Sequence, residues 1–375
     1  MTLEVLAAAE GLASIGAEHA RRSERERTLA PEAAAALAAS PIPSMLVPEA
    51  LGGGERNPRE MVGALDLIGR GDGSTAWCAM VAATSGLISA YVDQGFAREA
   101  FAPPGVSGGV YAPMGRADRD GDGFVVSGRW PFASGCKHAT TLMGGAIVQG
   151  ESGPEVRMMV FPAAVAEIHD TWDVTGLRGT GSHDIEVSEL NVPAGHSASL
   201  SDDHPHHDGP LYAFPPFGLL ALGIAGVALG IARGAIDDLV ELAAAKRPGG
   251  SMRTLAERSS AQASVARAEA LVNSAGAYIG QAIEDAEAEA DDVGELSPHY
   301  RAELRLAATH AARSAADAVD LMYEAAGGTA IYASSPLERR FRDIHTAKAH
   351  MMVSPQSLEL AGRIRLGLDT DTSQL

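Results

Sequence analysis

The order of apolar and polar positions divides the chain into three stretches. Leu3, Leu6, Leu12 and Ile15 recur at helical spacing, and the alanine-rich run from Ala33 to Ala39 favours helix. Pro41, Pro43 and Pro48 interrupt that pattern, and Gly52 to Gly54 read as a loop. Ser74 or Thr75 is the expected N-cap of a helix carrying the apolar run Ala76 to Ala83. The pattern then changes. Phe124 to Trp130 reads as a strand behind the turn Asp120-Gly121-Asp122-Gly123. Leu142 to Val148, Val156 to Phe161 and Ile185 to Val192 predict more strands, separated by turn residues as in a barrel or sandwich. From about Leu219 the segments Ala225 to Ala245, Leu255 to Ala288 and Pro298 to Ala326 predict long helices, with Gly294 and Pro298 marking the turn between the last two. Helices of this length and spacing suit antiparallel bundle packing. The pattern by itself therefore predicts an α+β chain, mainly helical, with a helical part at 1–104, a β part at 105–210 and a helical bundle at 211–375.

Composition narrows the function classes. The chain has 375 residues, 46% apolar and 21% charged, enough for a substantial core. A net charge of −19 argues against nucleic acid as a partner, because phosphate binding needs clustered Lys and Arg. Cys78 and Cys136 are the two cysteines, which gives no disulfide framework and fits a reducing compartment. The most apolar stretch, Phe214 to Ile231, is broken by glycines and opens on Pro215-Pro216, so it is read as a buried helix and not a membrane span. No basic-then-apolar segment opens the chain, and a cytoplasmic protein is expected. His204, His206 and His207, with Asp202, Asp203 and Asp208, follow no metal-ligand spacing and are read as a solvated loop, so no metal is expected.

Four segments carry more specific information. They are Gly71-Asp72-Gly73-Ser74-Thr75-Ala76-Trp77; Gly128-Arg129-Trp130-Pro131-Phe132-Ala133-Ser134-Gly135-Cys136; Trp172-Asp173-Val174-Thr175-Gly176-Leu177-Arg178-Gly179-Thr180-Gly181-Ser182; and Gly327 through His350, which includes Arg342-Asp343. In this order they resemble the acyl-CoA dehydrogenase superfamily, and within it the two-component (group D) branch of reduced-flavin-dependent monooxygenases. The resemblance implies an N-terminal helical domain, a middle β-barrel domain and a C-terminal four-helix bundle, assembled as a homotetramer. In many dehydrogenases of the superfamily a Tyr-Glu pair follows the Arg-Asp, and that Glu removes the substrate α-proton. The matching positions here are His350 and Met351. A thioether cannot act as a general base.

What the resemblance implies is a monooxygenase. Reduced FAD or FMN would come from a separate NAD(P)H:flavin reductase, O2 would add to give a flavin C4a-hydroperoxide, and an aromatic, indole-type or amine small molecule would be oxygenated. Ser134 is the expected partner of the flavin near N5, and Trp130, Phe132, Gly135, Thr180, Ser182, Gly327 and Gly328 are further expected cofactor contacts. His350 is the expected acid or base. The residues alone leave plainer roles open: Ser134 as a turn cap, His350 bonded to a carbonyl, 172–182 as a turn between strands, and Gly327-Gly328 as a helix C-cap. His345 lies five residues before His350, off its helical face, and is read as structural. Trp77, Ser85 and His350 are placed at the substrate pocket. Phenol-hydroxylating members carry a second His eight residues after the matching Trp, where this chain has Ser85, which leaves indoles, polycyclic aromatics or amine nitrogens as candidate substrates. The alternatives are an acyl-CoA dehydrogenase, against which Tyr212 to Gly218 offers no Asp or Glu, and a non-catalytic helical assembly protein.

Overall fold

Side-chain caps at Thr2, Asn57, Asp72 and Asp93 begin four of the N-terminal helices. The structure is a computed structural model that describes residues 1–375 apart from 151, 152, 373 and 374. Helices α1 (Leu3–Glu26), α2 (Pro31–Ala39), α3 (Pro58–Gly71), α4 (Gly73–Gly86) and α5 (Gln94–Phe101) form the N-terminal part. Asn57 caps α3 by accepting from the Glu60 N–H at 2.9 Å, with Pro58 at the first helical position, where its missing N–H costs nothing. The cap of α4 is Asp72 and not Ser74 or Thr75. Its carboxylate accepts from the Thr75 N–H at 2.8 Å and the Thr75 hydroxyl at 2.9 Å, so the helix starts at Gly73, ahead of the apolar run.

Seven strands follow: β1 (Ser107–Asp120), β2 (Gly123–Ala133), β3 (Thr141–Gly150), β4 (Gly153–Pro162), β5 (Glu167–His169), β6 (His183–Pro193) and β7 (Ser197–Ala198). They make one sheet in the order β5-β6-β2-β1-β3-β4-β7, with β1 and β3 parallel and the other pairs antiparallel. The sheet has its own apolar core around Trp130, Phe161, Ile185 and Val126.

The C-terminal part is α6 (Pro216–Ala245), α7 (Ser259–Val293), α8 (Pro298–Ala326), α9 (Pro336–Lys348) and α10 (Pro355–Arg365). Gly294 at φ +84° ends α7, and Pro298 opens α8. Over its most apolar 18 residues α6 is apolar on every side because it is surrounded, with 94% of that stretch buried inside the protein, while Asp237 and Glu241 nearer its end are exposed. It meets α3 almost backbone to backbone. A Cβ on Gly230 would lie 2.2 Å from the Asp66 carbonyl oxygen, and one on Gly69 would lie 2.9 Å from that of Val227. One continuous core therefore joins α3 and α4 to α6 and α8, with Met143, Met158 and Val160 of the sheet contributing to it. The site lies where these layers meet.

Candidate active site

Five segments, with Leu220 of α6, converge on one cavity of about 670 Å³. From α4 come Trp77, Met80, Val81 and Thr84, whose spacing puts them on one helical face. Strand β1 supplies Gly109, Val110, Tyr111 and Ala112, and the end of β2 supplies Phe132 and Ser134. The 172–182 loop adds Trp172, Leu177, Thr180 and Ser182. The end of α9 and the turn after it add His345, Thr346, His350 and Met351. Among the described residues lining the cavity there is no Asp, Glu, Lys or Arg. A carboxylate poised to abstract a proton is therefore absent from these walls.

The polar side chains that do reach the cavity are ordered. The Trp77 indole N–H donates to Ser134 Oγ at 3.1 Å. Ser134 Oγ is 2.7 Å from Ser182 Oγ, which is 2.7 Å from Thr180 Oγ1, which is 2.8 Å from the Leu177 carbonyl oxygen. Gly135, at φ +74°, makes the turn that brings the two segments together, and its N–H donates to the Thr180 carbonyl at 2.9 Å. Gly135 itself lies beneath Ser134 and does not line the cavity. Phe132 sits at φ +67°, unusual for a side chain of this size, and is 66% exposed. Its ring meets Trp172 edge-on at 6.1 Å, so two aromatic faces stand at the cavity rim. A planar heterocycle fits this setting: apolar and aromatic walls, with a row of hydroxyls along one side.

The loop that presents Thr180 and Ser182 is clamped by α9. Asp343 Oδ1 accepts from the Leu177 N–H at 2.6 Å, and the Arg342 guanidinium donates to the Thr175 carbonyl at 2.5 Å while pairing with Glu338 at 2.6 Å. Gly176 is required here, since a Cβ would lie 2.1 Å from the Arg342 carbonyl oxygen. Burial, reinforced by the neighbouring Asp72, pushes the Asp343 carboxyl up to about 7. In the unfolded chain an Asp titrates near 4. Between these values the unfolded state loses its proton and the folded state keeps it, so stability falls as pH rises through that window. Asp343→Asn keeps the acceptor for Leu177 and lacks the titration. Its stability relative to the unmodified protein is expected to rise from pH 4 to 7 and level off above, by at most about 4 kcal/mol. Thermal unfolding of both proteins from pH 4.5 to 8 reads this directly; a constant offset would show that Asp343 stays ionised.

His350 follows α9 and caps the next short turn. Its Nδ1 accepts from the Met352 N–H at 3.2 Å, so the neutral ring carries its proton on Nε2. Burial, and then the nearby Arg305, lower its pKa to about 4. The ring lies 5.7 Å from Trp77, tilted by 59°. Near neutral pH it is thus a neutral donor through Nε2. The cationic acid is disfavoured, and proton acceptance would require the Met352 bond to break.

Other expected site residues lie elsewhere. Trp130 is fully buried in the sheet core, its indole N–H donating to the Gly145 carbonyl at 2.7 Å. Two residues apart, Trp130 and Phe132 would share a face of a regular strand, but the register shift between Trp130 and Ala133 and the positive φ at Phe132 separate them, so Trp130 is core and not a cavity wall. Ser85 is fully buried and does not line the cavity; Thr84 does, and its carbonyl accepts from the Tyr111 hydroxyl at 3.0 Å. Gly327, at φ +56°, ends α8, and Gly328 follows it on the exposed surface away from the cavity. His345, read as structural, lines the cavity, with Nε2 held 2.8 Å from Asp320 Oδ1. The helical-face argument failed for it because α9 ends at Lys348, so His350 is no longer on the helix. Tyr111 and Trp172 carry no spacing signal of their own, whereas Met80, Val81 and Thr84, not singled out in the sequence, stand at helical spacing from Trp77, the signal that could have found them. In the histidine-containing loop, Asp203 pairs with Arg157 at 3.0 Å and His207 with Gln94 at 2.6 Å.

Comparison with known proteins agrees with this geometry. Residues 222–355 match the family model "Acyl-CoA dehydrogenase, C-terminal domain". The chain is 31% identical to indole-3-acetate monooxygenase of Acinetobacter baumannii, over 86% of this chain and 84% of that protein. Among solved structures, the 3-HSA hydroxylase from Rhodococcus sp. RHA1 superposes with a TM-score of 0.91 at 26% identity, covering 99% of both chains. XiaF from Streptomyces sp., solved with FADH2 and glycerol, superposes at 0.89 with 25% identity, covering 98% of this chain and 96% of that one. An acyl-CoA dehydrogenase fold whose cavity lacks the dehydrogenase carboxylate, shared end to end with oxygenating relatives, places this chain in the family of flavin-dependent monooxygenases that serve as oxygenase components of two-component systems.

Proposed function

We propose that this protein takes reduced FAD or FMN from a separate reductase and uses it with O2 to oxygenate a neutral aromatic molecule of indole or polycyclic type. The observation that carries the reading is the makeup of the cavity: aromatic and aliphatic walls, one row of hydroxyls, two histidines of which His345 is tied to Asp320, and no Asp, Glu, Lys or Arg among the described lining residues. When bound, the flavin supplies oxygen activation. Ser134 would hold it, with Ser182 and Thr180 bonded in line to the Ser134 hydroxyl, Phe132 and Trp172 would stand at the rim, and the apolar walls would keep water from the reacting centre. His350, with its Nε2–H available, orients the substrate from the α9 end and supplies a hydrogen bond toward oxygen. Trp77 and Met80 face the same space from α4.

The relative from Acinetobacter baumannii is named for an anionic indole. The absence of Lys and Arg from the walls of this cavity favours a substrate without a carboxylate, because a buried carboxylate needs a partner. The expected result is that purified protein, supplied with reduced flavin and O2, converts indole to an oxygenated product at least tenfold more efficiently than indole-3-acetate, as measured by product chromatography. Equal or better turnover of the acid would overturn the substrate assignment. Bleaching of tightly bound oxidised flavin by an acyl-CoA without O2 would point instead to a dehydrogenase, and failure to bind reduced flavin at all would favour an assembly role. A cytoplasmic homotetramer belongs to this reading: Gly327 and Gly328 are uncrowded, and beside them Ile331 and Tyr332 are 66% and 65% exposed, an apolar surface suited to a neighbouring copy.

A further inference from the structure

We propose that Thr180 and Ser182 are positioning residues that fix the direction of the Ser134 hydroxyl, so that it offers the cavity a lone pair and not a proton, and thereby make the site select reduced over oxidised flavin. This rests on the reading that the cavity holds a flavin.

The direction follows from counting protons. The two ends of the row are fixed by chemistry: an indole N–H only donates, and a peptide carbonyl only accepts. Thr180 Oγ1 lies 2.8 Å from the Leu177 carbonyl oxygen. Two oxygens hold that separation when a proton lies between them, and the Thr180 hydroxyl is the one that has a proton to give. Its proton is then spent, so across the 2.7 Å contact to Ser182 it accepts, and Ser182 donates. The Ser182 proton is spent in turn, so across the next 2.7 Å contact Ser134 donates. Ser134 also accepts from the Trp77 indole. Its single proton and one of its two lone pairs are both committed. What remains for the cavity is one lone pair. Ser134, Ser182 and Thr180 are at most 6% exposed, which limits the room for water to rewire the row.

The nitrogen at the flavin's N5 position accepts a hydrogen bond when the ring is oxidised and carries a proton when the ring is reduced by two electrons. A lone pair on Ser134 suits the N–H and repels the bare nitrogen. Removing the Thr180 hydroxyl releases the Ser182 proton, which turns back toward Ser134. Ser134 then accepts from both Trp77 and Ser182 and directs its own proton into the cavity. Removing the Ser182 hydroxyl frees the Ser134 proton by a shorter route. Both changes should raise affinity for oxidised flavin and lower it for reduced flavin.

The test is anaerobic titration of the full-length protein with FAD and FMN, each oxidised and dithionite-reduced, followed by flavin fluorescence and calorimetry. The unmodified protein is expected to bind at least one reduced flavin tenfold or more tightly than its oxidised form. Thr180→Val and Ser182→Ala should each lower that ratio at least tenfold, equivalent to a fall of about 30 mV in the two-electron potential of the bound flavin. Thr180→Ser restores the hydroxyl and should restore the ratio. Two independent variants guard against one that misfolds. If the unmodified protein binds neither redox state, the flavin reading fails and this inference fails with it. If it prefers reduced flavin and both variants keep that preference, or if Thr180→Ser behaves like Thr180→Val, the flavin reading stands and the directional row is wrong.

Discussion

Replacing His350 with alanine is expected to lower the rate of oxygenated-product formation by about 10²-fold while leaving reduced-flavin affinity within about twofold. The group removed is a half-buried neutral imidazole that lines the cavity, with Nδ1 tied to the Met352 N–H and Nε2–H as its remaining donor. Reduced flavin should still be consumed, with hydrogen peroxide in place of product, since the Ser134, Ser182 and Thr180 hydroxyls are untouched. Alanine also strips the Met352 N–H of its acceptor, a loss of about 1–3 kcal/mol that could be mistaken for a catalytic effect. His350→Asn separates the two, because an Asn oxygen can cap the same turn while lacking the imidazole. Loss of product in both variants, with normal unfolding in the Asn variant, supports the role; unchanged turnover in either removes His350 from the chemistry. Because burial holds the ring's pKa down at about 4, the cation is disfavoured throughout the neutral range. The His350-dependent part of the rate should therefore stay flat from pH 6 to 8, and a His350-dependent step near pH 6.5 would mean that the ring is solvated.

Replacing Trp130 with alanine should destabilise the protein by about 3–5 kcal/mol. The indole fills the centre of the sheet core, and the sheet is built around it. A Cβ on Gly115, Gly144 or Gly128 would come within 2.4, 2.5 or 2.7 Å of its ring. Three backbone segments thus approach the indole more closely than any side chain would allow, and its N–H satisfies the Gly145 carbonyl in a place water does not reach. Trp130→Phe keeps most of the volume but leaves that carbonyl without its donor, so it should cost less than alanine yet remain measurable by denaturant unfolding. Neither variant should change flavin affinity in the fraction that remains folded. A Trp130→Phe protein of normal stability and weakened flavin binding would return Trp130 to the cofactor site.

The dehydrogenase alternative is weakened by the same geometry. The buried acids closest to the cavity along the chain are engaged in holding the scaffold: Asp72 caps α4, and Asp343 holds the Leu177 turn. Neither lines the cavity. The Arg342-Asp343 pair keeps its place in the superfamily pattern, and its work here is to clamp the loop that carries Thr180 and Ser182.

Local chemistry in the sequence carried the long helices, strands β2, β3, β4 and β6 and the family motifs, but not β1, whose Gly- and Pro-containing run shows no strand alternation. Helical spacing, the turn at Gly294 and Pro298, strand alternation, and the Ser134, Thr180, Ser182 and His350 positions are carried by residues close together along the chain or by motifs of fixed register. Capping geometry was less legible: Asp72, Ser74 and Thr75 are all good caps, and only the folded backbone shows that the Asp72 carboxylate reaches Thr75. Tertiary structure decided which aromatic residues face the cavity. Trp130 and Phe132 are two residues apart in one strand, yet a positive φ at Phe132 turns it to the rim while Trp130 stays in the core. It decided that His345 shares the cavity with His350, because the helix stops between them and helical phase no longer relates the two. It also decided the direction of the hydroxyl row, since a proton's place in a chain of donors and acceptors depends on which groups stand at both ends, here Trp77 and Leu177, a hundred residues apart in sequence and joined only by folding.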